Sequence, residues 1–164
     1  MIERAQIDVF IDSLKRYFRH LDGVASGPAN KLEIGAPYLL RDAQTMGLGY
    51  TGMINVSGTQ SGTVFVSAGS TLLKRILLSY GEHNLSSEHK RDLIGEVANT
   101  LAGNARRHLG AEFHISTPRV LEGPIDPKRF DLNDRCFTLP FRWRSNKAEL
   151  IVSINSAKPL LELI

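Results

Sequence analysis

Apolar residues recur along this chain in two periods, one helical and one extended. Ile7, Phe10, Ile11, Leu14, Phe18 and Leu21 fall at helical spacing and predict a helix over residues 3 to 21. Leu72, Leu73, Ile76, Leu77 and Tyr80 predict a second helix, capped by Ser70 and closed by Gly81. The third and longest stretch runs from Leu85 to Gly110. At about 100° per residue, Leu93, Ile94, Val97, Ala98, Leu101, Ala102 and Ala105 share one side of it. Ser86 or Ser87 can cap its start, Glu88 suits its positive end, and Arg106, Arg107 and His108 suit its negative end. Gly110 is placed to stop it.

The extended period appears elsewhere. Lys31 to Tyr38 alternates as a half-buried strand does, with Pro37 marking an end or an edge. Met53–Val56 and Thr63–Ser67 flank the turn residues 57–62 and read as a hairpin. Phe113 to Leu121 reads as a strand, followed by a polar excursion over 122–133 that holds Pro124 and Pro127. Phe137, Leu139, Phe141 and Trp143 alternate opposite Cys136, Thr138, Pro140 and Arg142, with Pro140 hinting at an edge or a bulge. A turn at 145–147 leads into a strand over 148–155, and the tail 158–164 is apolar enough to dock on the core. The segment 23–30 reads as a loop.

The two halves are alike in pattern. A shift of 86 residues lays Thr63–Ser67 on Glu149–Ser153, the first helix on the long third one, and the first strand near the third. Each half reads as a helix followed by three strands, within one domain spanning 1–164 and halves of roughly 1–84 and 85–164. A unit that cannot bury its own sheet face gains by pairing with a copy. The expected class is α+β, a pseudo-duplicated helix-plus-three-strands unit with a mostly antiparallel sheet and long helices packed on it.

Composition narrows the setting. With 164 residues, 42% of them hydrophobic and 23% charged, the chain suits one globular core, and no run reaches the roughly 18 apolar residues of a membrane span. Glu3, Arg4 and Asp8 break up the N-terminus, which does not read as a signal peptide. A single cysteine, Cys136, cannot form an internal disulfide, which points to a reducing, cytoplasmic setting. A net charge of +3 permits an acidic partner without demanding nucleic acid.

Candidate chemistry lies on the polar side of the long helix. Asp92, Glu96, Asn99, Gly103 and Arg106 fall in one narrow stripe, and Gly95 lies on or beside it. Each of the two glycines costs roughly 1 kcal/mol against alanine in a helix interior. A face that another backbone must approach closely has a reason to carry them. Glu96 and Asn99, at i and i+3, point the same way. The amide does not titrate, so the pair suits holding a cation and orienting a water better than acid–base work.

The stretch DLIGEVANTLAGN, residues 92 to 104, resembles the signature helix of the CheC/CheX/FliY phosphatases of bacterial chemotaxis. Its core is Glu-x-x-Asn with an Asp four residues earlier and a Gly four residues later: Glu96, Asn99, Asp92 and Gly103. The glycine-rich segment at 49–67 resembles that family's hairpin, and the family is built from the same duplicated unit. The first helix carries Asp12, Lys15, Arg16 and Arg19 in place of a second Glu-x-x-Asn, as in single-site CheX-type members. The resemblance implies a phosphatase acting on the aspartyl phosphate of a CheY-like response regulator. It implies that Asn99 orients the attacking water, that Glu96 pairs with a lysine of the partner, and that Asp92, Gly95, Gly103 and Arg106 meet the partner. It also implies no cofactor of the chain's own, Mg2+ being supplied by the regulator, and a homodimer, whose contact Pro37 and Pro140 place on exposed sheet edges.

Three other readings compete. His89, Asp92 and Glu96, at i, i+3 and i+7, could begin a metal site, but no second cluster supplies further ligands and no metal is assigned. Arg135, Arg142, Trp143 and Arg144 beside Lys128 and Arg129 could bind nucleic acid, but Trp143 belongs to the apolar face of its strand. The third is a non-catalytic module of the same fold that docks a response regulator or a flagellar-switch protein. No Ser-His-Asp set, Cys–His pair or phosphate-binding Gly-rich loop is present to support a self-contained hydrolase.

Overall fold

The computed structural model of the chain describes residues 4–24, 32–40, 45–110, 112–132 and 135–156. The elements run α1 (Arg4–Val24), β1 (Leu32–Ile34), β2 (Tyr38–Leu39), β3 (Tyr50–Ser57), β4 (Gln60–Ala68), α2 (Ser70–Ser79) and α3 (Ser87–Leu109). They continue with β5 (His114–Ile115), β6 (Arg119–Glu122), a 3-10 turn at Pro127–Arg129, β7 (Phe137–Trp143) and β8 (Asn146–Ser156). The apolar tail at 158–164 and most of the loop expected at 23–30 lie outside the described residues.

Every strand pairing is antiparallel, in the order β1-β7-β8-β4-β3-β5, with β2 also beside β7 and β6 also beside β3. The halves therefore exchange edges. The first half's short strands border β7 of the second, and the second half's short strands border β3 of the first. At the centre, β4 pairs with β8, and Phe65 stands opposite Ile151. Those two are related by the 86-residue shift, so the local two-fold of the antiparallel pair coincides with the repeat in the sequence.

The strands expected over 31–38 and 113–121 are each broken in two beside a proline. Residues 35–37 separate β1 from β2, and residues 116–118 separate β5 from β6. Pro140 is not on an edge, since β7 is flanked on both sides. Its carbonyl accepts from Gly35 N at 2.8 Å. In a strand the N–H and C=O of one residue point the same way, so the missing N–H of Pro140 faces the break between β1 and β2. The hairpin is longer and tighter than the sequence suggests, turning at Gly58–Thr59 with Gly58 at φ +114°.

The alternating residues Ile54, Val56, Val64, Val66, Leu139, Phe141, Leu150 and Val152 face the helices and form the main core with Phe10, Leu14, Phe18, Leu73, Ile94 and Leu101. Trp143 is fully buried there, its indole N–H donating to Asp22 Oδ1 at 3.2 Å, which removes it from any nucleic-acid face. The opposite face carries a smaller core of Met53, Phe65, Cys136 and Ile151, covered by Met46, Ile125 and Phe130 from the flanking loops. Among the described residues, no helix is long and apolar enough to cross a membrane.

Candidate functional site

Helix α3 begins as its sequence requires. Ser86 caps it, its hydroxyl accepting from His89 N at 3.3 Å, while Gly110 at φ +107° ends it. Ser70, by contrast, is the first residue of α2 and not its cap. That position falls to Gly69, with no side-chain bond.

Three contacts fix how α3 lies on the rest of the molecule. The Ser13 hydroxyl of α1 donates to the Leu101 carbonyl at 3.1 Å, tying the two long helices at mid-length. The Tyr50 hydroxyl of β3 donates to Ser87 Oγ at 3.1 Å, anchoring the helix start. Between them, Gly52 of β3 lets the helix backbone sit directly on the sheet. A Cβ there would stand 2.5 Å from the Ile94 carbonyl oxygen and 2.9 Å from Ala98 Cβ. A strand with any side chain at this position would hold α3 further out.

The face turned away from the sheet carries the candidate residues. Asp92, Glu96, Asn99 and Arg106 are all exposed. They span about 21 Å along the helix at 1.5 Å per residue. Among the described residues, Asp92, Glu96 and Asn99 make no side-chain hydrogen bond or ion pair within the chain. Nothing lies within 4 Å of where a Gly103 Cβ would be. Gly95 departs from the expectation. It is buried, and a Cβ there would meet Val120 and Pro118 of the chain's own β5–β6 edge at 3.5–3.6 Å. Its close approach is internal.

Tyr17, close to Glu96, and its partner Tyr80 are absent from the sequence reading of the site. Tyr17 of α1 is buried, and its phenol titrates well above the usual range. Burial is the largest cause, followed by the charge and hydrogen bond of Tyr80 and then the charge of Glu96. Tyr17, in the second half of α1, thus stands between Tyr80 at the end of α2 and Glu96 of α3, and Tyr80 is 46% exposed. The only sequence signal was the aromatic residue preceding the Gly81 stop, which read as part of α2's apolar face.

The His89, Asp92, Glu96 grouping does not form. Among the described residues, no three His, Cys, Asp or Glu side chains gather as a metal site, and His89 Nδ1 is engaged with Ser86 Oγ at 3.0 Å. What α3 offers is a projecting ridge with a carboxylate and an amide at its middle, both available to another molecule. A ridge is a poor container for a small substrate and a good fit for a cleft in a partner.

Comparisons with known proteins bear on the family and the fold. The family model described as "Chemotaxis phosphatase CheX" matches residues 50–142. No curated protein matches the chain. Among solved structures, a CheC-like superfamily protein from Shewanella sp. PV-4 is 24% identical with a TM-score of 0.77, covering 94% of this chain and 100% of that one. The chemotaxis protein CheX from Vibrio vulnificus is 23% identical with a TM-score of 0.68, covering 92% and 99%. A chain of the CheX–CheY–BeF3–Mg2+ complex from Borrelia burgdorferi is 18% identical with a TM-score of 0.69, covering 95% and 100%. At these identities the structural likeness is one of fold.

Proposed function

The chain belongs to the CheX family of chemotaxis phosphatases, and on that premise we propose that it hydrolyses the aspartyl phosphate of a CheY-like response regulator by inserting the α3 ridge. One observation carries the reading. The residues matching the family's motif, Glu96 and Asn99, project unpaired from a helix whose position is fixed by Gly52, Ser13 and Tyr50.

The reaction asks little of the phosphatase. Water adds its oxygen to phosphorus as the bond from phosphorus to the aspartyl oxygen breaks. The products are a carboxylate and inorganic phosphate carrying both water protons. Mg2+ belongs to the regulator in this scheme and neutralises charge on the phosphoryl oxygens. Catalysis is then mostly positioning. The Asn99 amide holds a water in line, able to accept from it and donate to it without titrating. Glu96 pairs with a cationic lysine of the partner and sets the helix in register, while Asp92, Gly103 and Arg106 line the contact on either side. Gly95 contributes from within, by seating the β5–β6 edge against α3.

In this proposal two copies associate through sheet edges. Tyr38 and Leu39 on β2 are 43% and 39% exposed, and an edge strand leaves backbone groups to pair. Sedimentation returning only an 18.2 kDa species would refute the dimer.

The decay of a phosphorylated regulator with and without the protein tests the main reading. Faster decay at substoichiometric protein is expected. Binding with unchanged decay would leave a docking module for a regulator or flagellar-switch protein.

A further inference from the structure

The polar face of α1 gathers Lys15, Arg16 and Arg19 within five positions, all exposed. Among the described residues, none of the three is paired with a carboxylate. Lys15 and Arg19 are neighbours at i and i+4, where like charges repel. Asp12, three positions before Lys15 and four before Arg16, offsets only part of this repulsion. The cations line a cleft of about 460 Å³ that Asn104 and His108 of α3 also line, with Asp12 as its single carboxylate. A second cleft of about 540 Å³, walled by Ile11, Phe18, Leu32 and Ile34, opens on the other side of the Lys15–Arg19 ridge.

The cleft borders the candidate site. Asn104 stands about 7.5 Å along the helix from Asn99 and about 140° around it, so the cleft lies on the α1 flank of α3 beside the stripe and not on it. A stable protein interface covers about 800 Å² on each partner, far more than one stripe of side chains. A partner seated over Glu96 and Asn99 therefore extends beyond α3, and α1, tied to Leu101 through Ser13, is next to it. A partner that holds Mg2+ beside a phosphoryl group does so with carboxylates, so the rim of its site is acidic.

We propose that Lys15, Arg16 and Arg19 are the docking flank of this protein, steering and seating the acidic rim of the phosphorylated regulator. The inference rests on the phosphatase reading for the identity of the partner. These cations touch no reacting atom. Their effect lies in encounter and affinity, and it weakens with salt.

The test is Lys15→Glu, Arg16→Glu and Arg19→Glu combined, beside Lys74→Glu and Arg75→Glu on α2 as a control for charge reversal outside the cleft. All five positions are exposed, so both variants keep the fold, as circular dichroism checks. At low salt the α1 variant should lose about 10-fold or more in kcat/KM, through KM, with kcat at saturation within about two-fold of the parent. The deficit should shrink toward about 0.3 M salt, and the α2 variant should resemble the parent. An unchanged KM and salt slope in the α1 variant, or an equal loss in the α2 variant, overturns the flank while leaving catalysis by Asn99 intact. If the parent does not accelerate decay, the phosphatase reading fails by itself. Titration binding of the phosphorylated regulator then decides the flank: weaker binding of the α1 variant supports it, equal binding overturns it.

Discussion

Gly52 of β3 and Ile94 of α3 meet backbone to backbone, with no room for even a methyl group between them. This contact sets the height of the ridge that carries Glu96 and Asn99. Gly52→Ala should therefore destabilise the protein by about 1–3 kcal/mol through overpacking. That corresponds to roughly 2–4 °C in Tm per kcal/mol for a chain of this size. A Tm equal to that of the parent would show that the helix can lift freely.

Asn99→Ala and Glu96→Ala should separate by kinetic signature. If Asn99 acts on the attacking water, its contribution exists mainly in the transition state. Asn99→Ala should then lower kcat by about 10²–10³-fold, as loss of one well-placed polar group does elsewhere, with little change in KM. Glu96→Ala should act chiefly through KM. An exposed pair is worth about 0.2–1 kcal/mol, whereas breaking a desolvated one costs about 2–5. The Glu96 effect thus reports how dry the docked interface is. Full activity in Asn99→Ala would remove the enzymatic reading.

Gly103→Leu should uncouple stability from docking. The space around Gly103 is open, and leucine favours helix by somewhat less than the roughly 0.8–1 kcal/mol that separates alanine from glycine. The variant should melt higher yet bind the regulator more weakly, because the new side chain stands on the approaching face. Unchanged affinity would show that the partner does not come close at this point.

Alkaline stability should follow the buried thiol. Burial pushes the Cys136 thiol up to about 12. The folded state therefore keeps its proton while the unfolded chain loses it. Stability is therefore complete below about pH 8.5 and falls as pH rises toward 12, by at most about 1.4 kcal/mol per unit. Tyr17, shifted in the same direction, adds to the loss at higher pH. Denaturant unfolding at pH 7 and pH 10 should show this decline, and Cys136→Ala should show less of it. An equal decline in both would assign it to other groups. Thiol reagents at pH 8 should label the folded protein slowly, since the thiolate is the reactive form.

The sequence by itself determined the helices, the repeat and the outward stripe. Periodicity placed α1, α2 and α3 within a few residues, because each buries one continuous face and the apolar side chains record it. The 86-residue shift was legible for a similar reason, since Thr63–Ser67 and Glu149–Ser153 meet the same demands at the centre of the sheet. Asp92, Glu96 and Asn99 were placed on the exposed side by angle alone.

Only the tertiary structure decided what each outward or small residue faces. Gly95 and Gly103 are alike in the sequence, yet one lies under Pro118 and Val120 and the other is open. The difference comes from the β5–β6 edge, which follows α3 in the chain and folds back over it. The exchange of edge strands between the halves, the second core around Phe65 and Ile151, and the approach of Tyr17 to Tyr80 and Glu96 have the same origin. Periodicity reports which side of an element is covered. Which distant segment covers it is set by packing between residues far apart in the chain, and no local pattern carries that information.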